Sequence, residues 1–353
     1  MRPSIRSFQL PRNSTNLSTL PVWTRAHGEP VCDGLLRHTP ADFCVTEEMG
    51  FTPDGQGEHE WLWVEKIGAN TPWVARQLAK HADVKSRDVG FSGMKDRHAV
   101  TRQWFSVPTS TTDWSSLQVD GVNILDQQRH TRKLKRGAHK TNRFVLVLRG
   151  PEIDAEREAL TARLQTIASD GVPNYFGEQR FGHNGSNVEQ ARSMFAGKRL
   201  PRDRRSILLS ATRAWIFNAI LSERVRAGSW NQILPGECAN LAGTGSVFTV
   251  ENVDSEIQQR CDEKDIHPTV TLWGTGAPIT RGELAAMETT IAANWQDLTQ
   301  GLESMRVSAA SRPSRLVVAD LSFEFADEQL TLSFALGRGG YATTVVRELI
   351  NSL

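Results

Sequence analysis

Gly90-Phe91-Ser92-Gly93-Met94-Lys95-Asp96-Arg97-His98-Ala99-Val100 sets an aspartate between two cations, just past a glycine and between two segments that read as strands. Phe91 is apolar, and Thr101-Arg102-Gln103-Trp104-Phe105-Ser106-Val107 alternates well enough to be a half-buried strand. Gly93 lets another backbone or a ligand come close. With Lys95 and Arg97 beside it, the Asp96 carboxylate is expected to stay ionised, because nearby positive charge favours the charged form. Two readings compete: a surface turn with a local ion pair, or an activated carboxylate on a basic, anion-binding surface. The flanking sequence has to separate them.

Downstream, a basic run covers Arg129-His130-Thr131-Arg132-Lys133-Leu134-Lys135-Arg136 and His139-Lys140-Thr141-Asn142-Arg143, and leads into the strand Phe144-Val145-Leu146-Val147-Leu148. Between residues 85 and 150 there are 13 Lys and Arg against five Asp, in a chain whose net charge is only +1. Such a local excess fits a face that meets phosphates, and equally a solvated surface. Upstream, Asp42 to Glu47 and Trp61 to Ile67 read as strands. Thr71 reads as an N-cap with Pro72 at the first helical position, opening a helix with Val74, Leu78 and Ala82 on one stripe.

A helix is expected from Asp154 to about Ala168, stopped by Gly171. After Gly171-Val172-Pro173 the character changes to helices and glycine turns, with capping boxes at Ser186-x-x-Glu189 and Thr280-x-x-Glu283. Near Arg312-Pro313-Ser314 it changes back. Leu316–Phe325 and Leu330–Leu336 then flank Ala326-Asp327-Glu328-Gln329 as a β-hairpin, and a last helix is expected from Thr343 to Ile350. Strand-rich ends around a helix-rich middle predict one sheet domain interrupted by an insertion.

Composition narrows the function. At 353 residues, 23% charged and 39% hydrophobic, the chain reads as a folded, water-soluble protein of two domains. Its four cysteines lack C-x-x-C spacing, which favours a reducing, cytoplasmic compartment. Its nine histidines lack ligand spacings, so no metal is expected. No apolar run is long enough for a membrane span. Residues 1–25 read as a loose leader without the apolar centre of a signal peptide. Nothing demands an oligomer, and a monomer is the default expectation.

Two motifs, Phe91-Ser92-Gly93-Met94-Lys95-Asp96-Arg97-His98-Ala99 and Asn174-Tyr175-Phe176-Gly177-x-Gln179-Arg180-Phe181-Gly182, resemble the D family of tRNA pseudouridine synthases (TruD). Asp42-Phe43-x-Val45-x-Glu47, Asn142-x-Phe144 and Tyr341-Ala342-Thr343-x-Val345-Val346-Arg347-Glu348-Leu349 fit the same family, in its order, from about residue 28 onward. The resemblance implies an α+β fold: a catalytic domain with a mixed, mainly antiparallel sheet (26–172 and 315–353), interrupted by an α/β TRUD domain (173–314). It implies isomerisation of uridine 13, in the D-arm region of tRNA, with no cofactor. Carried over by position, Asp96 is the catalytic aspartate, Asn142 binds substrate, and Phe43 and Phe144 lie at the base pocket. Tyr341 stands where the family usually has phenylalanine, which adds a hydroxyl to the ring.

The chemistry is coherent on its own terms. Exchanging a glycosidic bond needs a group that attacks the ribose or removes its proton, and a carboxylate can do either. Phe43, Phe144, Tyr341 and Asn142 are candidates to hold the loose uracil by stacking and edge hydrogen bonds. Singly, each phenylalanine reads first as core and Asn142 first as a turn residue. Lys95, Arg97, Arg132, Lys133, Lys135, Arg136 and Lys140 are candidates for phosphate contact, while Lys95 and Arg97 alternatively tune Asp96. Arg347 is a weaker candidate for its ion-pair partner. Among rivals, a nucleoside hydrolase requires a second cooperating carboxylate, for which only Glu47 is near in motif terms. A non-catalytic RNA-binding module leaves the Gly-x-Lys-Asp turn unexplained. A DNA-binding module has no recognition helix or zinc finger to support it.

Overall fold

The computed structural model describes residues 20–108 and 111–352. The N-terminal part supplies β1 (Cys32–Leu36), β2 (Phe43–Glu48), β3 (His59–Lys66), β4 (Gly90–Phe91), β5 (Val100–Val107), β6 (Val122–His130) and β7 (Thr141–Arg149). In β2 the alternation is complete: Phe43, Val45 and Glu47 are buried, while Cys44, Thr46 and Glu48 are half-buried on the other face. Helix α1 (Thr71–His81) packs Val74 and Leu78 inward. Its cap is Asn70 rather than Thr71. The Thr71 hydroxyl is committed to Gln103 at 2.9 Å and to the backbone N–H of Lys95 at 3.0 Å, tying the helix to the Asp96 turn.

Helices α2 (Glu152–Ala155) and α3 (Arg157–Asp170) lead to Gly171, which leaves α3 at φ +78°, and to β8 (Val172–Pro173). The middle of the chain then forms α4 (Ser186–Phe195), α5 (Arg202–Arg226), β9 (Glu237–Leu241), β10 (Val247–Val250), α6 (Ser255–Asp262), β11 (Ile266–His267), β12 (Thr269–Leu272), α7 (Gly282–Ala292), α8 (Gln296–Ser304) and β13 (Ala310–Pro313). The two expected capping boxes do not form. Ser186 is already inside α4, after Gly185, and the Thr280 hydroxyl donates to buried Glu288 at 2.8 Å, leaving Arg281 as the cap of α7. Strand β14 (Arg315–Leu316) pairs antiparallel with β8, so the chain leaves and re-enters the sheet region side by side.

The chain ends with β15 (Ala319–Ala326), β16 (Gln329–Gly337), α9 (Ala342–Val346) and β17 (Ile350–Ser352). The hairpin forms as expected. Its two-residue turn, Asp327-Glu328, has φ of +47° and +58°, the primed geometry that matches strand twist. The expected final helix stops early because Ile350 pairs in parallel with Cys32 of β1. The ten-stranded sheet has the order β15-β16-β7-β2-β5-β3-β6, with β1, β4 and β17 off this path. It is mixed and mainly antiparallel: β2–β5 and β1–β17 are parallel pairs. This is an α+β fold.

One apolar core joins the sheet to α3 and α9 through Phe43, Leu146, Leu164, Phe334 and Val345, and another gathers Tyr175, Phe181, Trp215, Ile220 and Leu298 of the middle segment. Residues 20–25 correct the expectation of a loose leader. Trp23 stacks on Tyr175 at 6.4 Å and meets Trp215 edge-on at 5.7 Å, while Thr24 bonds Ser222. Two large rings buried this way outweigh the polar composition around them. Residues 1–19 of that leader lie outside the described residues.

Close packing also fixes the segment after β6. A Cβ on Gly90 would lie 2.4 Å from the Leu134 carbonyl oxygen and 2.5 Å from Ser106 Oγ. Gly90→Ala is therefore expected to destabilise the fold by about 1–3 kcal/mol, seen as a lower urea midpoint. A midpoint equal to wild type would mean that this segment is not held against β4.

Candidate active site

Asp96 lies in the turn between β4 and β5, just before β5 runs parallel to β2. Its Oδ2 is 3.0 Å from Nη1 of Arg37, and its Oδ1 accepts the backbone N–H of His98 at 3.1 Å. Its backbone carbonyl accepts from the Lys66 ammonium at 2.7 Å. Arg37 opens the β1–β2 connection at φ +67°, a backbone region uncommon for residues with a side chain. The guanidinium lies 4.0 Å above the Phe43 ring. Phe43 meets Phe144 edge-on at 6.2 Å, and Phe144 stacks on Phe334 at 5.5 Å. Carboxylate, guanidinium and rings thus run in continuous contact from the turn into the core. Phe43 and Phe144 are only 4% and 6% exposed, so both serve the core as well as the wall of the site.

The cations next to Asp96 in sequence are not its partners, which corrects the sequence reading. Lys95 is turned inward: its ammonium is 3.0 Å from Glu47 Oε2 and donates to Asn142 Oδ1 at 2.8 Å. Buried in that pair, it is not placed to meet a phosphate. Arg97 points outward and donates to the Gly68 carbonyl at 3.0 Å. Arg347 is held by the Trp23 carbonyl and Glu348, away from Asp96. Two residues apart, Lys95 and Arg97 would share a face on an extended strand; the chain bends at Arg97 instead, and the two side chains part company. Burial pushes the Glu47 carboxyl up, against the pull of Lys95. Burial also brings Lys66 down to about 8, with Lys95 acting in the same direction and Asp96 opposing.

Asn142 is locked on both sides. Its Oδ1 is occupied by Lys95, and its Nδ2 lies 3.3 Å from Nε2 of His139. An amide N–H can donate only to a bare ring nitrogen, so His139 carries its proton on Nδ1, 2.5 Å from Ser92 Oγ. Burial, with the Lys95 and Arg338 charges, lowers His139 to about 4 and keeps it neutral. One Asn142 amide hydrogen remains unused.

Tyr341 lies after β16, and its hydroxyl, the departure from the family pattern, accepts from Arg180 Nη2 at 2.6 Å. The ring meets Phe176 at 6.1 Å, and Phe176 carries the Arg312 guanidinium 4.2 Å from its centroid. The Asn174–Gly182 motif therefore touches the site's last aromatic directly. Of the basic candidates, Arg132, Lys133, Lys135, Arg136 and Lys140 are exposed. Sequence reasoning missed Arg37, Lys66, His139 and Arg180. For Arg37 there was a faint signal, a cation shortly before the Asp42-Phe43 motif.

A family model described as tRNA pseudouridine synthase D (TruD) matches residues 23–191 and 188–349. The chain belongs to the TruD family. Among TruD relatives, "tRNA pseudouridine synthase D" of Methylococcus capsulatus is 45% identical over 332 residues, covering 92% of this chain and 93% of that protein. The protein of the same designation from Chromohalobacter salexigens is 44% identical over 339 residues, covering 94% and 96%. A crystal structure described as "Putative tRNA pseudouridine synthase D (TruD)" from Methanosarcina mazei superimposes with a TM-score of 0.70 at 19% identity, over 94% of this chain and 96% of that one, so the fold is shared. Among the described residues, no helix is long and apolar enough to cross a membrane.

Proposed function

We propose that this protein isomerises uridine to pseudouridine in tRNA, at position 13 in the D-arm region. Membership of the TruD family and the shared designation of its relatives support tRNA as the substrate. One observation carries the chemistry: the Asp96 carboxylate is held by a guanidinium that itself rests on the Phe43 ring. A carboxylate fixed beside aromatic surface is equipped to act on a ribose while the detached base stays against the rings. The C1′–N1 bond breaks, the base turns, and C1′ bonds to C5; C5 gives up its proton and N1 gains one. The exchange is redox-neutral.

Asn142 acts as a donor in this scheme. With its oxygen taken by Lys95 and one hydrogen by His139, the remaining N–H is left for a carbonyl oxygen of uracil. The ion pair with Lys95 and the burial of Glu47 argue against the second free carboxylate that glycoside hydrolysis requires. Unstacking the target nucleotide costs a few kcal/mol, to be offset by phosphate contacts from Arg97, Arg132, Lys133, Lys135, Arg136 and Lys140. We assign 26–172 and 315–353 to the catalytic domain and 173–314 to the insertion, a division supported by the β8–β14 pairing. Four unpaired cysteines support a reducing, cytoplasmic setting.

Mapping pseudouridine in RNA from cells with and without this gene tests reaction and position together. The expected result is loss of pseudouridine at tRNA position 13 without the gene. Retention of that signal overturns the proposal.

A further inference from the structure

A groove of about 490 Å³ lies on the surface between the segment from residue 86 into β4 and the segment after β6, lined by Arg87, Gly90, Phe91, Lys133, Lys135 and Arg136 among others. Four of its lining residues are cations and none is an acid. Among the described residues, Arg87 has only Asp88 at 3.9 Å, and Lys133, Lys135 and Arg136 are in no ion pair. Like charges gathered with only Asp88 to offset them repel one another, and the fold nonetheless fixes the backbone that carries them. Leu134, 3% exposed, is plugged between Met49 and Trp61, and its N–H donates to Ser106 Oγ at 2.8 Å. Trp61 Nε1 donates to the Arg132 carbonyl at 2.9 Å, and the Gly137 N–H to the Ser92 carbonyl at 2.9 Å. Lys133 is steered by the Arg87 carbonyl at 2.6 Å, and the Arg136 guanidinium lies 3.7 Å over the Phe91 ring.

We propose that this groove seats one unpaired nucleotide of the substrate RNA, distinct from the reacting uridine. Its phosphate is gripped by Arg87, Lys133 and Lys135, and its base stacks on the outer face of Arg136. Phosphate contact needs cations held where a backbone can pass between them. A guanidinium plane already backed by an aromatic ring is a ready stacking surface for a base. Gly90 and Phe91 pair with Ser106 and Phe105 at the far end of β5 from Asp96. At about 3.3 Å per extended residue, the five residues from Phe91 to Asp96 put the groove no more than about 17 Å from the reacting centre. It therefore grips the strand a few nucleotides away from the target and fixes which uridine reaches Asp96.

The inference rests on the tRNA reading above, and its test separates the two. The full-length protein is titrated with an unmodified tRNA transcript carrying uridine at position 13, across a series of salt concentrations. Lys133→Ala/Lys135→Ala/Arg136→Ala is expected to weaken binding about 30- to 100-fold near 0.1 M salt. The slope of log K against log salt should fall by about 0.7, the value for one phosphate on a single strand. Arg136→Lys, which keeps the charge and loses the plane, should weaken binding about fivefold or more, the minimum worth of one stacked base. Wild-type affinity and slope in the triple variant, with normal pseudouridine formation, overturn the groove and leave the reaction standing. Wild-type affinity in Arg136→Lys overturns the stacked base. Groove-dependent tRNA binding by a wild-type protein that forms no pseudouridine overturns the proposed reaction and leaves the groove standing.

Discussion

Asp96→Asn is expected to abolish pseudouridine formation, by roughly 10⁴-fold or more, while tRNA affinity stays within a few-fold of wild type. The substitution keeps the shape of the side chain and removes what the reaction uses, a full negative charge with free lone pairs. Binding should not suffer, because a carboxylate beside an RNA strand repels phosphates; losing it leaves affinity unchanged or slightly tighter. Arg37 provides the companion test. Its guanidinium both pairs with Asp96 at 3.0 Å and covers the Phe43 ring at 4.0 Å. Arg37→Leu retains apolar cover and loses the charge, so kcat is expected to fall about 10²-fold through a displaced carboxylate. Arg37→Lys should recover part of that loss, since an ammonium can pair with the aspartate but does not lie flat on a ring. Single-turnover assays on the tRNA transcript read all three. Near wild-type conversion by Asp96→Asn would remove the aspartate from the chemistry and leave an RNA-binding module as the better account.

The parts of this arrangement differ in how far the sequence exposes them, and the difference follows contact range. The hairpin of β15 and β16 is legible because alternation and a two-residue turn are local. So is the Asp96 turn itself, a glycine and a charge cluster between strands. Partner choice is not local. Arg37 reaches Asp96 across the β2–β5 pairing, whereas Lys95 and Arg97, on either side of Asp96 in the chain, turn to other partners. Nothing in a run of Lys-Asp-Arg says which cation faces the carboxylate.

Tertiary pairing also overrides local preference at the C-terminus. Thr343 to Ile350 reads as helix, yet Ile350 gains more by joining β1 beside Cys32. Trp23 shows the same rule from the other end, where two aromatic contacts fix a stretch of largely polar composition. The role of Tyr341 is the most instructive case. Its hydroxyl looked like an addition to the pocket, and the structure commits it to Arg180, a contact from the Asn174–Gly182 motif that no spacing rule reveals.

Lys95→Met should destabilise the fold more than any other single change in the Asp96 turn, by about 3–5 kcal/mol, because it strands Glu47. The two side chains are 5% and 0% exposed, and Glu47 Oε1 has no hydrogen-bond partner to fall back on. The loss has a predicted pH dependence. Glu47 titrates above its ordinary value in the folded protein, because burial outweighs the pull of Lys95. A carboxyl raised in this way favours folding fully below its unfolded value and loses that contribution as pH rises through the folded value. Removing the ammonium raises the folded value further, so the penalty for Lys95→Met must grow with pH. Urea unfolding at pH 5 and pH 8 should give a clearly larger loss at pH 8. Adding Glu47→Gln to Lys95→Met should restore most of the stability, since a neutral amide no longer carries the stranded charge. Activity should not return with it: Asn142 would still lack the donor that fixes its oxygen, and its remaining N–H would no longer be held for the base. An equal loss at both pH values, or a double variant no more stable than the single one, would show that the pair does not hold this turn.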